Sequence, residues 1–148
     1  MGTIRLTAAQ AMVKWLSVQM VEAEPSGTEA VGQPKLERYI DGMWAIFGHG
    51  NVAGIGEALH AYRDVFPTWR GQNEQTMAHA AIAYAKGMKR RRAMAVTSSI
   101  GPGSTNVVTA AALAHVNRLP LLIVAGGVFA NRKPDPVLQQ GEGFDDGT

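Results

Sequence analysis

The sequence alternates short apolar runs with alanine-rich, helix-forming stretches, and glycine-rich turns join the two kinds of segment. The apolar runs are continuous, which is typical of strands buried on both faces of a parallel sheet. Strands are predicted at 43–48, 66–70, 93–97 and 121–125, and helices at 6–20, 55–63, 74–86 and 105–117. This order predicts an α/β fold, a three-layer sandwich in which helices flank a mostly parallel sheet.

One domain is expected over residues 1–130, because a chain of 148 residues has room for one hydrophobic core. Thr7 is the predicted N-cap of the first helix. Residues 23–42 are polar and lack a clear period, so they are predicted to form a surface excursion. Residues 131–148 contain prolines and glycines without any period and are predicted to be a linker towards a following domain.

The absence of cysteine excludes a disulfide scaffold, a thiolate metal site and a cysteine nucleophile. No apolar run is long enough for a signal peptide or a membrane span, so a cytoplasmic location without a membrane partner is expected. The histidines show none of the spacings that metal sites use, and no protein-built metal site is predicted.

The basic run 86–92 is interpreted as a solvated helix end, since no aromatic residues interleave it to stack on bases. No nucleic-acid partner is expected.

A glycine-rich segment, 48–54, follows the first predicted buried strand. Glycines at such a place permit a tight turn or the close approach of a dinucleotide pyrophosphate. A dinucleotide fingerprint also expects an acidic residue about 20 positions further on, where this sequence offers only Arg70. A nicotinamide-dependent dehydrogenase therefore stays as an alternative. His49 and Asn51 stand at the carboxyl end of the predicted strand, where ligands of parallel sheets gather.

One carboxylate, Glu74, begins the alanine-rich stretch 74–86. As an acid in a first helical turn it would be favoured by the helix dipole alone. The alanines of this stretch also allow the helix to pack closely against another surface, and a carboxylate enclosed there can exchange a proton near neutral pH. Glu74 is therefore the candidate catalytic acid.

A third unusual segment, 97–106, combines hydroxyl side chains with a Gly-Pro-Gly sequence and leads into a predicted helix. It lacks the lysine of a phosphate-binding P-loop and the spacing of a nucleophile elbow. Kinase-like and serine-hydrolase functions are therefore not indicated.

In this order and spacing, the glycine-rich segment, the step Asn73-Glu74-Gln75 and the pattern Ser-x-Gly-Pro-Gly-x-Thr-Asn resemble the N-terminal, pyrimidine-binding domain of thiamine-diphosphate enzymes of the acetolactate synthase type. Within this family, the hydrolases that open the ring of trihydroxycyclohexane-1,2-dione in inositol breakdown are the most similar. The stretches that favour them are 1–11, 47–59, 97–106 and 132–140.

The resemblance implies that Glu74 hydrogen-bonds N1′ of the cofactor's aminopyrimidine and so promotes loss of the proton from thiazolium C2. The residues implied to bind the cofactor are Glu74, Gln75, Gly48, Gly50 and Asn51. Those implied to line the substrate side are His49, Ser99, Gly101 and Asn106. The implied substrate is a cyclic dione, whose carbon–carbon bond is cleaved with water to give 5-deoxy-glucuronate.

The resemblance also implies thiamine diphosphate and Mg²⁺ as cofactors, both held mainly by a diphosphate-binding domain in trans that this chain lacks. A homo-oligomer through the cofactor-side helices is expected, and the isolated chain is expected to be inactive. The alternatives are an acetolactate synthase-like enzyme or decarboxylase, and a non-catalytic nucleotide-binding module of the same fold.

Overall fold

The computed structural model describes residues 2–23 and 35–127, without the side chain of His49. The helices are α1 (Ala8–Ser17), α2 (Gly48–Asn51), α3 (Glu57–Ala61), α4 (Glu74–Gly87), α5 (Pro102–Asn106) and α6 (Val108–Val116), and a π-helical turn, Val52–Gly56, joins α2 to α3. The strands are β1 (Met20–Glu22), β2 (Leu36–Arg38), β3 (Ile40–Ala45), β4 (Thr68–Trp69), β5 (Ala93–Ser98) and β6 (Leu122–Ala125).

The main sheet has four strands in the order β4-β3-β5-β6, and all of its pairings are parallel. In register, Met43 of β3 lies opposite both Thr68 of β4 and Ala95 of β5. Thr97 of β5 lies opposite Val124 of β6. The predicted α/β fold with a parallel sheet is confirmed.

Hydrophobic cores lie on both faces of this sheet. On β5, Ala93 and Ala95 belong to the core formed with α1 and α3, whereas Met94 and Val96 belong to the core formed with α4 and α6. Alternate residues of a strand point to opposite faces, so β5 is buried on both sides. The helices therefore form two layers with the sheet between them, which is the predicted three-layer arrangement.

The first helix begins where the sequence predicts. The hydroxyl oxygen of Thr7 accepts a hydrogen bond from the backbone N–H of Gln10, and the Gln10 side chain accepts one from the backbone N–H of Thr7. This reciprocal capping satisfies two amides that the helix itself leaves unpaired.

Three segments contain regular structure that the sequence analysis does not predict. The described part of the excursion 23–42 includes β2, which pairs antiparallel with β1 and places Arg38 opposite Met20. The glycine-rich segment 48–54 is helical, as α2 and the π-helical turn, and α5 begins at Pro102, before the predicted helix 105–117. The predicted linker, 131–148, lies outside the described residues.

The interpretation of 86–92 as a solvated helix end agrees with the structure for residues 86–91, which are exposed at and beyond the end of α4, but arginines of this run also bind the rest of the fold. The Arg90 guanidinium donates hydrogen bonds to the backbone oxygens of Asn117 and Arg118. Arg92 pairs with Asp41, which also accepts a hydrogen bond from the Tyr84 hydroxyl. These groups close the amino-terminal end of the sheet with charges that satisfy one another.

Among residues 2–23 and 35–127, no helix is both long enough and apolar enough to cross a membrane.

Candidate functional site

A cleft of about 1040 Å³ lies beyond the carboxyl ends of β3 and β5. Ligands of parallel α/β sheets bind at this edge, because the strands end there together and their loops and helix starts converge. The predicted site residues that line the cleft are Gly48, Glu74, Gln75, Ser99, Gly101 and Asn106. Segments far apart in the sequence thus meet in one place, as the sequence analysis expects.

Glu74 is held at the cleft by the start of α4. The side-chain oxygen of Asn73 caps the helix by accepting a hydrogen bond of 3.0 Å from the backbone N–H of Thr76. Glu74 is therefore the first residue of the helix, and its side chain is half-buried. One carboxylate oxygen, Oε2, accepts a hydrogen bond of 3.2 Å from Nδ2 of Asn106. Among the described residues, no lysine, arginine or histidine forms an ion pair with Glu74.

Gly103 brings the backbone of α5 against the Glu74 carboxylate. A Cβ at this position would lie 2.7 Å from Oε1 of Glu74 and 2.1 Å from the hydroxyl oxygen of Ser99. No side chain fits in this space without moving the carboxylate. Glycine is therefore required here for close approach of the backbone.

The segment that follows β3 and the turn that follows β5 contact each other at the base of the cleft. Gly48 has a φ of 60°, and a Cβ there would lie 2.4 Å from Cβ of Ser99. The Ser104 hydroxyl donates a hydrogen bond of 2.6 Å to the backbone oxygen of Ser99 and lies 3.1 Å from the Ser98 hydroxyl. Gly101 also has a positive φ, 64°, just before α5. These contacts fix the Ser99 turn close to the carboxylate.

Asn51 lies beside the cleft and binds the carboxyl end of β5. Its Nδ2 atom donates hydrogen bonds to the backbone oxygen of Ser98, at 3.0 Å, and to the hydroxyl of Thr97, at 3.4 Å. Gly50 is exposed near Gly127. In the described part of the chain, neither Asn51 nor Gly50 lines the cleft around Glu74, and the His49 side chain lies outside the description.

The structure adds residues that the sequence analysis did not single out. Ile46, Gly103, Thr105 and Thr109 also line the cleft. Gly103 belongs to the Gly-Pro-Gly sequence, so a signal was present, but its contact with Glu74 depends on a pairing of helices 29 positions apart in sequence. Spacing along the chain carries no information on such a pairing.

The chemistry of the cleft is that of one carboxylate among neutral groups. Its polar atoms are amides, hydroxyls and backbone groups, and no lysine or arginine is among its described lining residues. The described residues also contain no group of three or more histidine, aspartate or glutamate side chains that could hold a metal ion. A carboxylate in these surroundings can accept a hydrogen bond from a ligand, or donate one when it is protonated.

Known proteins have similar sequences over most of the length of this chain. Residues 41–145 match the family described as thiamine pyrophosphate enzyme, N-terminal TPP binding domain. A 3D-(3,5/4)-trihydroxycyclohexane-1,2-dione hydrolase of Geobacillus thermodenitrificans is 51% identical over 140 residues, and the one of Shouchella clausii is 49% identical. These matches cover 95% of this chain but only 20% and 21% of the two relatives. The chain belongs to the thiamine pyrophosphate enzyme family and matches its N-terminal, cofactor-binding domain.

Proposed function

We propose that this chain supplies the pyrimidine side of a thiamine-diphosphate site in an enzyme that hydrolyses a carbon–carbon bond of a cyclic 1,2-dione. The substrate is trihydroxycyclohexane-1,2-dione and the ring-opened product is 5-deoxy-glucuronate. The observation that carries the proposal is the half-buried Glu74 carboxylate at the carboxyl edge of the sheet. The names of the relatives support the choice of substrate.

The residues of the cleft fit the aminopyrimidine end of the cofactor. Oε1 of Glu74 accepts no hydrogen bond from any described residue, so it can bind the ring nitrogen N1′. Gln75 is the next residue of α4 and supports the carboxylate, and the backbone of Gly48 and Gly101 allows a flat ring to approach. His49 and Ser99 face the substrate side in this proposal. Bound thiamine diphosphate supplies the electron sink that lets a bond next to a carbonyl break.

The part of each residue in the reaction follows from its chemistry. Glu74 holds and returns a proton at a ring nitrogen, as a general acid–base group does. Ile46 lines the cleft beside the carboxylate, and β5 is buried along its whole length. The chain therefore contributes orientation of the ring and proton exchange.

The cleft does not fit the charged end of the cofactor. A diphosphate needs basic side chains or a metal ion, and the described lining residues offer neither. In our proposal the diphosphate and Mg²⁺ are held by a second domain, within the four-fifths of the relatives' length that this chain does not match. This domain acts in trans, and the isolated chain has no activity.

The proposal includes an oligomer formed through the helices beside the cleft. Along α6, Val108, Leu113 and Val116 are exposed by 62%, 44% and 77%. Apolar side chains that cluster at the surface mark association surfaces. Sedimentation of the isolated chain is expected to show self-association, and a monomer at high concentration would contradict this part of the proposal.

A chimera tests the whole function. This chain replaces the 140-residue segment that it matches in the Geobacillus enzyme, and turnover of trihydroxycyclohexane-1,2-dione is measured with thiamine diphosphate and Mg²⁺. Turnover that requires Glu74 supports the proposal. A folded chimera that binds the cofactor but accepts only pyruvate would favour an acetolactate synthase-like enzyme or a decarboxylase. A folded chimera without any turnover would favour a non-catalytic module.

Calorimetric titration of the isolated chain tests the division of the cofactor site. Thiamine diphosphate is expected to bind no more tightly with Mg²⁺ than without it, because the metal acts through the diphosphate. Tight binding that depends on Mg²⁺ would show that this chain holds the diphosphate itself. The proposed second domain would then be unnecessary.

A further inference from the structure

Asn106 makes a specific contact with the carboxylate to which the proposed function gives the central part. It is the last residue of α5, it is half-buried, and its Nδ2 atom lies 3.2 Å from Oε2 of Glu74. Among the described residues this is the one hydrogen bond that the carboxylate receives. The contact joins residues 32 positions apart in sequence.

The backbone around Asn106 fixes the position of its side chain. The hydroxyl of Thr105 donates a hydrogen bond of 3.0 Å to the backbone oxygen of Gly101, and the Thr105 N–H donates one of 2.8 Å to the same oxygen. The Ser104 hydroxyl ties the same turn to Ser99. An amide presented from such a braced turn loses little freedom when it binds a carboxylate.

The two carboxylate oxygens are therefore not equivalent. An amide nitrogen can only donate, so its hydrogen bond favours Oε2 as the acceptor oxygen and disfavours protonation there. Oε1 lies near the backbone of Gly103, where a Cβ would be only 2.7 Å away, and it accepts no hydrogen bond from a described residue. Proton exchange is left to Oε1.

We infer that Asn106 is a positioning residue that holds Oε2 of Glu74 and so selects Oε1 as the oxygen that exchanges a proton with the cofactor. This inference rests on the proposed function. It assigns Asn106 to the carboxylate, whereas the family resemblance suggested the substrate side. In this inference the amide acts through Glu74.

The first test needs no cofactor. Asn106→Leu removes the donor at similar volume, and Asn117→Leu is the matched control, because Asn117 donates a side-chain hydrogen bond of 2.9 Å to the backbone oxygen of Leu113 away from the cleft. Three-bond NMR couplings of the Glu74 side chain are measured in the isolated chain. We expect one rotamer in the wild type and the control, and averaging in Asn106→Leu. A single unchanged rotamer in Asn106→Leu would overturn the inference.

The second test uses the chimera. Hydrogen–deuterium exchange at C2 of bound thiamine diphosphate is expected to slow about tenfold in Asn106→Leu, the size expected for one lost hydrogen bond to a charged group. The fold-change in cofactor affinity should be smaller than the fold-change in this exchange rate. Asn106→Ser, whose hydroxyl is too short to reach Oε2, should behave in the same way and serves if the leucine variant does not fold.

The outcomes separate the inference from the proposed function. Exchange that is lost in Glu74→Gln but normal in both Asn106 variants would overturn the inference and leave the function standing. Exchange that is normal in Glu74→Gln would contradict the proposed function itself, while the NMR couplings would still decide whether Asn106 orients the carboxylate.

Discussion

A polar cluster lies at each end of the main sheet, with one residue from α4 in each, and the two clusters differ in how their charges are balanced. At the amino-terminal end, Arg92 binds Asp41, lies 3.6 Å from Glu37, and shares Asp41 with the Tyr84 hydroxyl. At the carboxyl-terminal end, Glu74 has a neutral amide as its partner within the described residues.

This difference separates stability from function. Opposite charges that bind one another at the edge of a core stabilise the folded chain, and little capacity remains for a ligand. A carboxylate with one neutral partner and one free oxygen adds little to stability and keeps its capacity for a ligand. Changes at the two ends are therefore expected to affect different measurements.

The largest effect is expected from Glu74→Gln. Turnover of the chimera should fall by about 10²–10⁴-fold, the range for loss of a general acid–base group, because glutamine cannot exchange the proton. Cofactor affinity should stay within a few-fold, and the free energy of unfolding of the isolated chain within about 0.5 kcal/mol. Glu57→Gln, at an exposed first-turn carboxylate of α3, is the control. Undiminished turnover would remove Glu74 from the mechanism.

Gly103→Ala is the next largest change and affects both stability and function. Its new Cβ collides with Ser99 and with Oε1 of Glu74, so α5 must move away from the carboxylate. Overpacking of this kind costs about 1–3 kcal/mol, and turnover should fall as the carboxylate is displaced. Gly87→Ala is the control, since no atom lies within 4 Å of its new Cβ, and it should stabilise α4 by about 0.5–1 kcal/mol. Equal urea midpoints for the two variants would contradict this account.

The fold was largely predictable from the sequence because buried parallel strands are continuous apolar runs. The run in β5 and the alanine-rich α4 both lie where the sequence predicts them. The pairing of β1 with β2 was not predictable, since these strands are short and partly exposed. Pairing between distant short strands depends on tertiary contacts that no local pattern contains.

The candidate site was predictable in composition but not in its internal contacts. The order of parallel strands brings Glu74, Ser99 and Asn106 to one edge, and this follows from topology. Which side chains bind one another depends on distances of a few ångströms between helices. The hydrogen bonds of Asn106 with Glu74 and of Asn51 with the backbone of Ser98 therefore became visible only in the structure.

A smaller effect, on stability alone, is expected from Arg92→Met. The change leaves Asp41, whose side chain is 13% exposed, without its cationic partner. Loss of a hydrogen bond to a charged group should lower the free energy of unfolding by about 2 kcal/mol, while turnover of the chimera stays unchanged. Arg63→Met, at an exposed arginine that binds the backbone oxygen of His60 in the preceding helix, is the control and should change stability by less than about 0.5 kcal/mol. A loss of turnover in a folded Arg92→Met chimera would contradict the view that the amino-terminal cluster affects stability alone.

The smallest effect is a pH dependence confined to the amino-terminal cluster. Burial, together with the hydrogen bond to Asp41, raises the pKa of Tyr84 to about 12, from about 10 in an unfolded chain. The folded chain therefore retains this proton more strongly than the unfolded chain, and the stabilisation is fully present below pH of about 10 and is lost as the pH rises to about 12. The difference in free energy of unfolding between the wild type and Tyr84→Phe should accordingly shrink across this interval, when followed by urea denaturation at each pH. Tyr62→Phe, at a tyrosine outside the cluster, should show a different profile. A difference that stays constant for Tyr84→Phe would mean that the hydroxyl is not held by Asp41, and the balance of charges at this end of the sheet would then rest on Arg92 alone.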